Sequence, residues 1–213
     1  MADYITKDDL LNKLRLYSTT PDDDNIVFKQ KIKNELLNCP ELLYALNEQS
    51  LESELFDEEG NINYDGEWDL YFSSALSDGN IRPYLYIPQT QDETRNFLCY
   101  QTSFDEIPRY NSVEKYALIT FTIIINGSDR IDKFTGLPRH DLMASIIREH
   151  FNWSNIFGTQ CHVVSNKETI TDNNYLVRTL VFKSTNLNNI VYTNTDSHGK
   201  KKSTMVINNI GRS

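Results

Sequence analysis

The sequence predicts an α+β protein: a mixed or antiparallel β-sheet with one main amphipathic helix packed on it, an N-terminal helical segment and an extended C-terminal arm. Three observations carry this. Residues 116–125 and 175–184 are long β-branched and aromatic runs, the composition that fits a pleated, half-buried surface. Between them, Leu142, Met143, Ile146, Ile147, His150 and Phe151 recur as adjacent pairs every four positions, which gathers them into one helical stripe. The first fifty residues hold apolar positions at helical spacing and no strand-like run.

In chain order, Thr6-Lys7-Asp8-Asp9 opens like a capping box, with Leu10, Leu11, Leu14 and Tyr17 following at helical spacing. Pro21 and Asp22-Asp23-Asp24 open a second helix, whose apolar positions are Ile26, Val27, Ile32, Leu36 and Leu37. Pro40 suits the first turn of a short third helix carrying Leu42, Leu43 and Leu46. These form an N-terminal helical segment, residues 1–50. Residues 51–80 read as an acidic loop or arm. Glu52, Glu54, Asp57, Glu58, Glu59, Asp65, Glu67 and Asp69 come without one basic residue, and Gly60 and Gly66 interrupt regular structure. The α+β core follows at 81–188. Its expected strands are Tyr84-Leu85-Tyr86-Ile87, Phe97-Leu98-Cys99-Tyr100, the run 116–125, Cys161-His162-Val163-Val164 and the run 175–184. The main helix lies after the turn-rich stretch 126–138, and a turn at Thr171-Asp172-Asn173-Asn174 makes the last two strands a hairpin. Residues 189–213 are polar apart from Met205-Val206-Ile207, and read as an arm or hairpin that orders on a neighbour.

Composition narrows the function. The 213 residues carry 21 Lys+Arg against 30 Asp+Glu, a net charge of −9. Gripping a phosphate backbone needs a basic face, and the only dense basic run is Lys200-Lys201-Lys202. Three well-separated cysteines, Cys39, Cys99 and Cys161, specify neither a disulfide framework nor a four-thiolate zinc site. Met1-Ala2-Asp3-Tyr4 has no signal-peptide character, and the longest apolar stretch falls well short of the ~20 residues of a membrane helix. A soluble intracellular protein without a membrane segment is therefore expected.

Motifs for chemistry are missing. An EF-hand register starting at Asp57 fits at Glu59 and Asn61 but puts Ile62 at the glycine position and Trp68 at the final glutamate. His140 and His150 lie on nearly opposite sides of a helix, His162 points away from its neighbour Cys161 in a strand, and His198 sits in a late turn. No metal-ligand spacing, nucleophile elbow, P-loop or dinucleotide fingerprint occurs. No catalytic residue, metal or cofactor is expected, and the chain is read as a non-enzyme. Three groups are candidates for contact instead. Arg130, Asp132, Arg139 and Asp141 cluster around one loop and helix start, as charges at a subunit boundary would, although Asp141 also suits the helix dipole. Glu54, Asp57, Glu58, Glu59, Asp65, Glu67 and Asp69 form a channel- or partner-facing acidic surface, and Met205, Val206 and Ile207 an apolar contact at the arm.

The run Tyr116 to Ile125, Arg130-Ile131-Asp132, Gly136-Leu137-Pro138-Arg139-His140-Asp141, the helix to Phe151 and the strand pair within 161–184 together resemble the neck proteins of tailed bacteriophages. The order of strand, loop, amphipathic helix and two strands is similar to the tail-terminator and head–tail joining ring proteins. Leu36-Leu37-Asn38-Cys39-Pro40-Glu41-Leu42-Leu43 also looks like related connector sequences. The resemblance implies a structural virion protein, one subunit of a homo-oligomeric ring of six or twelve copies between portal and tail. It also implies portal, adaptor and tail proteins as partners, assembly in the host cytoplasm, and DNA passing through the ring without specific binding. The acidic segment and the C-terminal arm depart from the compact pattern of that family. Two other readings stand beside it: an intracellular adaptor unrelated to phage, and an enzyme working through an unrecognised carboxylate site.

Overall fold

The computed structural model describes residues 6–19, 24–75, 77–88, 95–104, 114–170, 175–187, 190–195 and 201–205. Its helices are α1 (Lys7–Thr19), α2 (Asp24–Leu37), α3 (Pro40–Ala45), α4 (Glu52–Leu55) and α5 (Arg139–Phe151). Its strands are β1 (Ile81–Arg82), β2 (Phe97–Phe104), β3 (Glu114–Asn126), β4 (Cys161–Ile170), β5 (Tyr175–Leu187), β6 (Ile190–Thr195) and β7 (Lys201–Met205). The α+β class expected from sequence is the class observed. Five strands form a mixed sheet in the order β1-β2-β3-β5-β4, parallel between β1 and β2 and antiparallel elsewhere.

Alternation sets the faces. In β3, Ala117, Ile119, Phe121, Ile123 and Ile125 are buried in the main core, while Thr120 and Thr122 share the opposite face. On β5 the inward set is Leu176, Leu180 and Phe182. Helix α5 lays Met143, Ala144, Ile147 and Phe151 onto this face, and α2 and α3 add Phe28, Ile32, Leu36, Leu42 and Leu43. Aromatic rings link the layers: Phe182 and Phe121 from the sheet, Phe151 from α5, then Phe157 and Phe28 of α2, with neighbouring centroids 4.9 to 6.3 Å apart. The register of β4 shifts between Val163 and Ser165. This bulge turns Glu168, rather than its odd-numbered neighbours, toward the start of α5.

Three expectations are modified. The helical layer holds α2 and α3 but not α1, whose described side chains are all exposed, with Leu10 at 50% and Leu14 at 63%. Its N-terminus is nonetheless the expected capping box: the Asp9 amide donates to Thr6 Oγ1, and the Thr6 amide donates back to Asp9 Oδ2. Second, the acidic segment is folded onto the body. Leu55, Trp68, Tyr71 and Phe72 join the core, the Trp68 indole donates to the Glu54 carbonyl, and Gly66 lies so near that carbonyl that a Cβ would sit 1.9 Å from it. Third, the run Tyr84 to Ile87 is irregular and the strand is Ile81–Arg82, because Pro83 and Pro88 remove amide donors on both sides of that run. The region after 188 contains a hairpin, one of the two forms expected of it: β6 pairs antiparallel with β7 as a separate two-stranded sheet. Met205 ends β7, while Val206, Ile207 and the turn at 171–174 lie outside the described residues.

Candidate functional site

The loop at the C-terminal end of β3 gathers the charges picked out by sequence, but as an internal structure. Arg139, the first residue of α5, is 3% exposed. Its Nε lies 3.0 Å from Asp129 Oδ2 and its Nη1 3.4 Å from Asp132 Oδ1. The same Nη1 donates to the Ala45 carbonyl at 3.1 Å, which ties α5 to the end of α3. Asp132 is buried too and accepts from the Thr135 amide and hydroxyl at 2.9 and 2.8 Å. Within the chain, Arg139 and Asp132 thus form a closed, buried pair. A guanidinium this deep needs carboxylates beside it, and the 127–135 loop supplies them. Asp141 is half-buried and pairs with the Arg178 guanidinium of β5, so it too is committed within the chain. Arg130 alone of the four is exposed, its Nε donating to the Gly127 carbonyl.

Around this pair lies a polar network that sequence reasoning missed. Asp129 also accepts from Asn47 Nδ2 at 2.9 Å and Asn96 Nδ2 at 2.6 Å. The Asn96 amide group donates to the Leu46 carbonyl, and its Oδ1 accepts from the Asn126 backbone amide. Asn80 Nδ2 donates to Glu48 Oε2 and to the Asn96 carbonyl, while Arg95 Nη2 donates to Asn80 Oδ1 and its Nε pairs with Glu48 at 2.9 Å. The network knots α3, β1, β2, β3 and α5 together at one end of the sheet. The available signal was an asparagine or arginine directly before an apolar strand, in Asn80-Ile81 and Arg95-Asn96-Phe97.

These carboxylates make the knot acid-sensitive. Burial alone would raise Glu48, but hydrogen bonds from Ser50, Asn80 and Arg95 outweigh it and hold the group below its ordinary 4.5. Burial would likewise raise Asp132, but the Thr135 bonds and the Arg139 charge bring it below 3.8. A carboxylate depressed in the folded state stabilises it above its unfolded value, and that stability is lost as pH falls through the folded value. Thermal melts are therefore expected to be level from about pH 7 to 5 and to decline below about pH 4.5. Glu48→Gln, weaker throughout, should show a smaller acid decline; an unchanged acid slope would exclude Glu48 as its source.

Of the acidic surface, Asp57, Glu58, Glu59, Asp65, Glu67 and Asp69 are exposed and Glu54 is half-buried. Asp57 organises its own loop, accepting from the Glu59 and Asn61 amides, and Glu54 accepts from the Glu67 amide. Asp69 pairs with Lys33 of α2. A broad open cleft of about 880 Å³ runs beside this lobe, lined by Tyr44, Glu52, Phe56, Asp57, Glu58 and Asn63 among others.

Among the described residues, two side-chain clusters have the composition of metal ligands. His140 Nε2 lies 3.3 Å from Glu168 and 3.5 Å from Asp141, but Arg178 pairs with both carboxylates. The other joins Cys39, Glu41 and His150, with Cys39 Sγ 3.3 Å and Glu41 Oε1 2.8 Å from His150 Nε2. Burial above all, with the Glu41 and Glu149 charges, pushes the Cys39 thiol up to about 12. His162 stacks on Trp153 while Cys161 is buried, the opposite orientations expected of strand neighbours.

No curated protein matches the chain. A family model does match: that of YomW, over residues 19–184, which runs from the end of α1 through the sheet and α5 into β5. This span covers well over half the chain and nearly all of its core, and the protein accordingly belongs to the phage-derived YomW family.

Proposed function

We propose that the chain is a structural, non-catalytic subunit of a phage neck: one copy in a homo-oligomeric ring of six or twelve between portal and tail. The observation that carries this reading is α1. Leu10, Leu11, Leu14, Leu16 and Tyr17 are all exposed on a helix that follows its own capping box. A helix of thirteen residues is marginal alone in water, so its apolar side chains gain most by covering a neighbour. The hairpin β6–β7 is a second such element, since an isolated two-stranded sheet has little stability of its own. An exposed apolar helix and a separate two-stranded sheet suit heterologous contacts, in which each subunit presents a donor surface and a different acceptor surface. The family's phage derivation supports the virion as the setting.

In this reading the acidic lobe faces the DNA passage. Its exposed carboxylates repel the phosphate backbone, so the genome slides past without specific binding. Portal, adaptor and tail proteins flank the ring. Among the described residues no helix is long and apolar enough to cross a membrane.

Light scattering coupled to size exclusion, followed by negative-stain imaging, tests the reading. The expected species is a closed ring of six or twelve, formed by the chain alone or on addition of the portal. Leu10→Asp with Leu14→Asp should abolish it while leaving the melting temperature of the subunit nearly unchanged. A chain that stays monomeric both alone and with purified portal and tail components would overturn the ring.

A further inference from the structure

We propose that Cys39, Glu41 and His150 form a binding site for a borderline-soft divalent cation of the zinc kind, stapling the α2–α3 corner to the last turn of α5. The three ligand atoms, one from each side chain, all lie within 4.8 Å of one another. A zinc ion stands about 2.3 Å from sulfur and about 2.0 Å from nitrogen or oxygen, which separates its ligands by roughly 3 to 3.6 Å. The observed Sγ···Nε2 distance of 3.3 Å falls in that range, and the Nε2···Oε1 distance of 2.8 Å needs only a small opening.

The donor set points to the metal class. Thiolate, imidazole and carboxylate together suit zinc and its neighbours, whereas calcium and magnesium call for oxygen alone. The backbone holds the site firmly. The Cys39 amide donates to the Leu36 carbonyl, and the Cys39 carbonyl accepts from the Leu42 and Leu43 amides. Pro40 then fixes the first turn of α3, which carries Glu41. On the other side, His150 is flanked by Ile147 and Phe151, both buried in the core. One imidazole nitrogen faces a sulfur and a carboxylate oxygen at once, and a cation at the centre serves all three lone pairs. Glu41 and His150 are partly exposed, which leaves the fourth position open to water. The His140 cluster is the weaker candidate, because the Arg178 guanidinium already occupies the carboxylates a cation would need.

The test is a cobalt(II) titration of the purified full-length chain, read by absorption. One equivalent is expected to bind with a near-ultraviolet thiolate-to-cobalt charge-transfer band, and zinc should bleach it. Cys39→Ser should remove the band, and Glu41→Gln should weaken binding about tenfold or more, as loss of a ligand or its support does. Glu168→Gln, in the other cluster, should leave the titration unchanged. Should Cys39→Ser fail to fold, His150→Gln decides, because that side chain is partly exposed and its loss opens no core cavity. No charge-transfer band in the parent chain, or a band surviving His150→Gln, overturns the site. Both outcomes are independent of whether the chain forms a ring.

Discussion

Replacing Arg139 by alanine is expected to destabilise the protein by about 3–5 kcal/mol, the usual cost of removing one partner from a buried ion pair. The guanidinium is 3% exposed and stands between Asp129 and Asp132. Its loss leaves Asp129 and Asp132 without their cation in a largely buried site, and the Ala45 carbonyl without its donor. Lysine at this position keeps the charge but has no fork to reach both acids and the carbonyl together, so Arg139→Lys should recover only part of the loss. Urea unfolding followed by far-ultraviolet circular dichroism measures both. A loss below about 1 kcal/mol for the alanine variant would show that water replaces the guanidinium and that the knot is open. The same burial means that a charge reversal at Arg139 reports on folding before it reports on assembly.

Phe121→Ala should cost a comparable about 3–5 kcal/mol, for a different reason. Phe121 is fully buried, and its ring lies 4.9 Å from that of Phe151 and 5.8 Å, edge-on, from that of Phe182. Truncation removes the contact between the middle of the sheet and α5, and neither element can close the gap. The sheet is held by β2 and β5 on either side, and α5 is anchored at both ends by Arg139 and Phe151. Phe121→Leu, which refills most of the space, should lose much less. Equal losses for the two variants would mean that edge-to-face ring geometry, and not volume, dominates here.

The parts of the fold that could be read from sequence are those where periodicity and burial coincide. Strands β3 and β5 announced themselves because Ile119, Phe121, Ile123 and Phe182 alternate with side chains for the other face. Helix α5 did so because Met143, Ile147 and Phe151 repeat at four-residue spacing and are all buried. The acidic segment defeated the same reading. Its like charges suggest a solvated arm, and its anchors Leu55, Trp68 and Tyr71 follow neither period. What folds it is a tertiary contact, the seating of Gly66 and the Trp68 indole against the Glu54 carbonyl. The charge cluster was visible as a cluster, but not its direction: Arg139 finds Asp129 in a loop and the Ala45 carbonyl 94 positions away. The meeting of Cys39 with His150, 111 positions apart, likewise has no local signature.

The strand order bears on how the chain is made. β5 lies between β3 and β4, yet it follows both in sequence. During synthesis from the N-terminus, one whole edge of β3 therefore waits without a partner until residues 175–187 have left the ribosome. That edge belongs to the most apolar run in the protein, Ile119 to Ile125. An exposed, uncharged, β-branched edge is what templates intermolecular pairing. Truncated or stalled chains ending before β5 are thus the species most prone to aggregate. Rapid completion of the chain, or a chaperone that covers β3 in the interval, would keep that edge from pairing with another molecule.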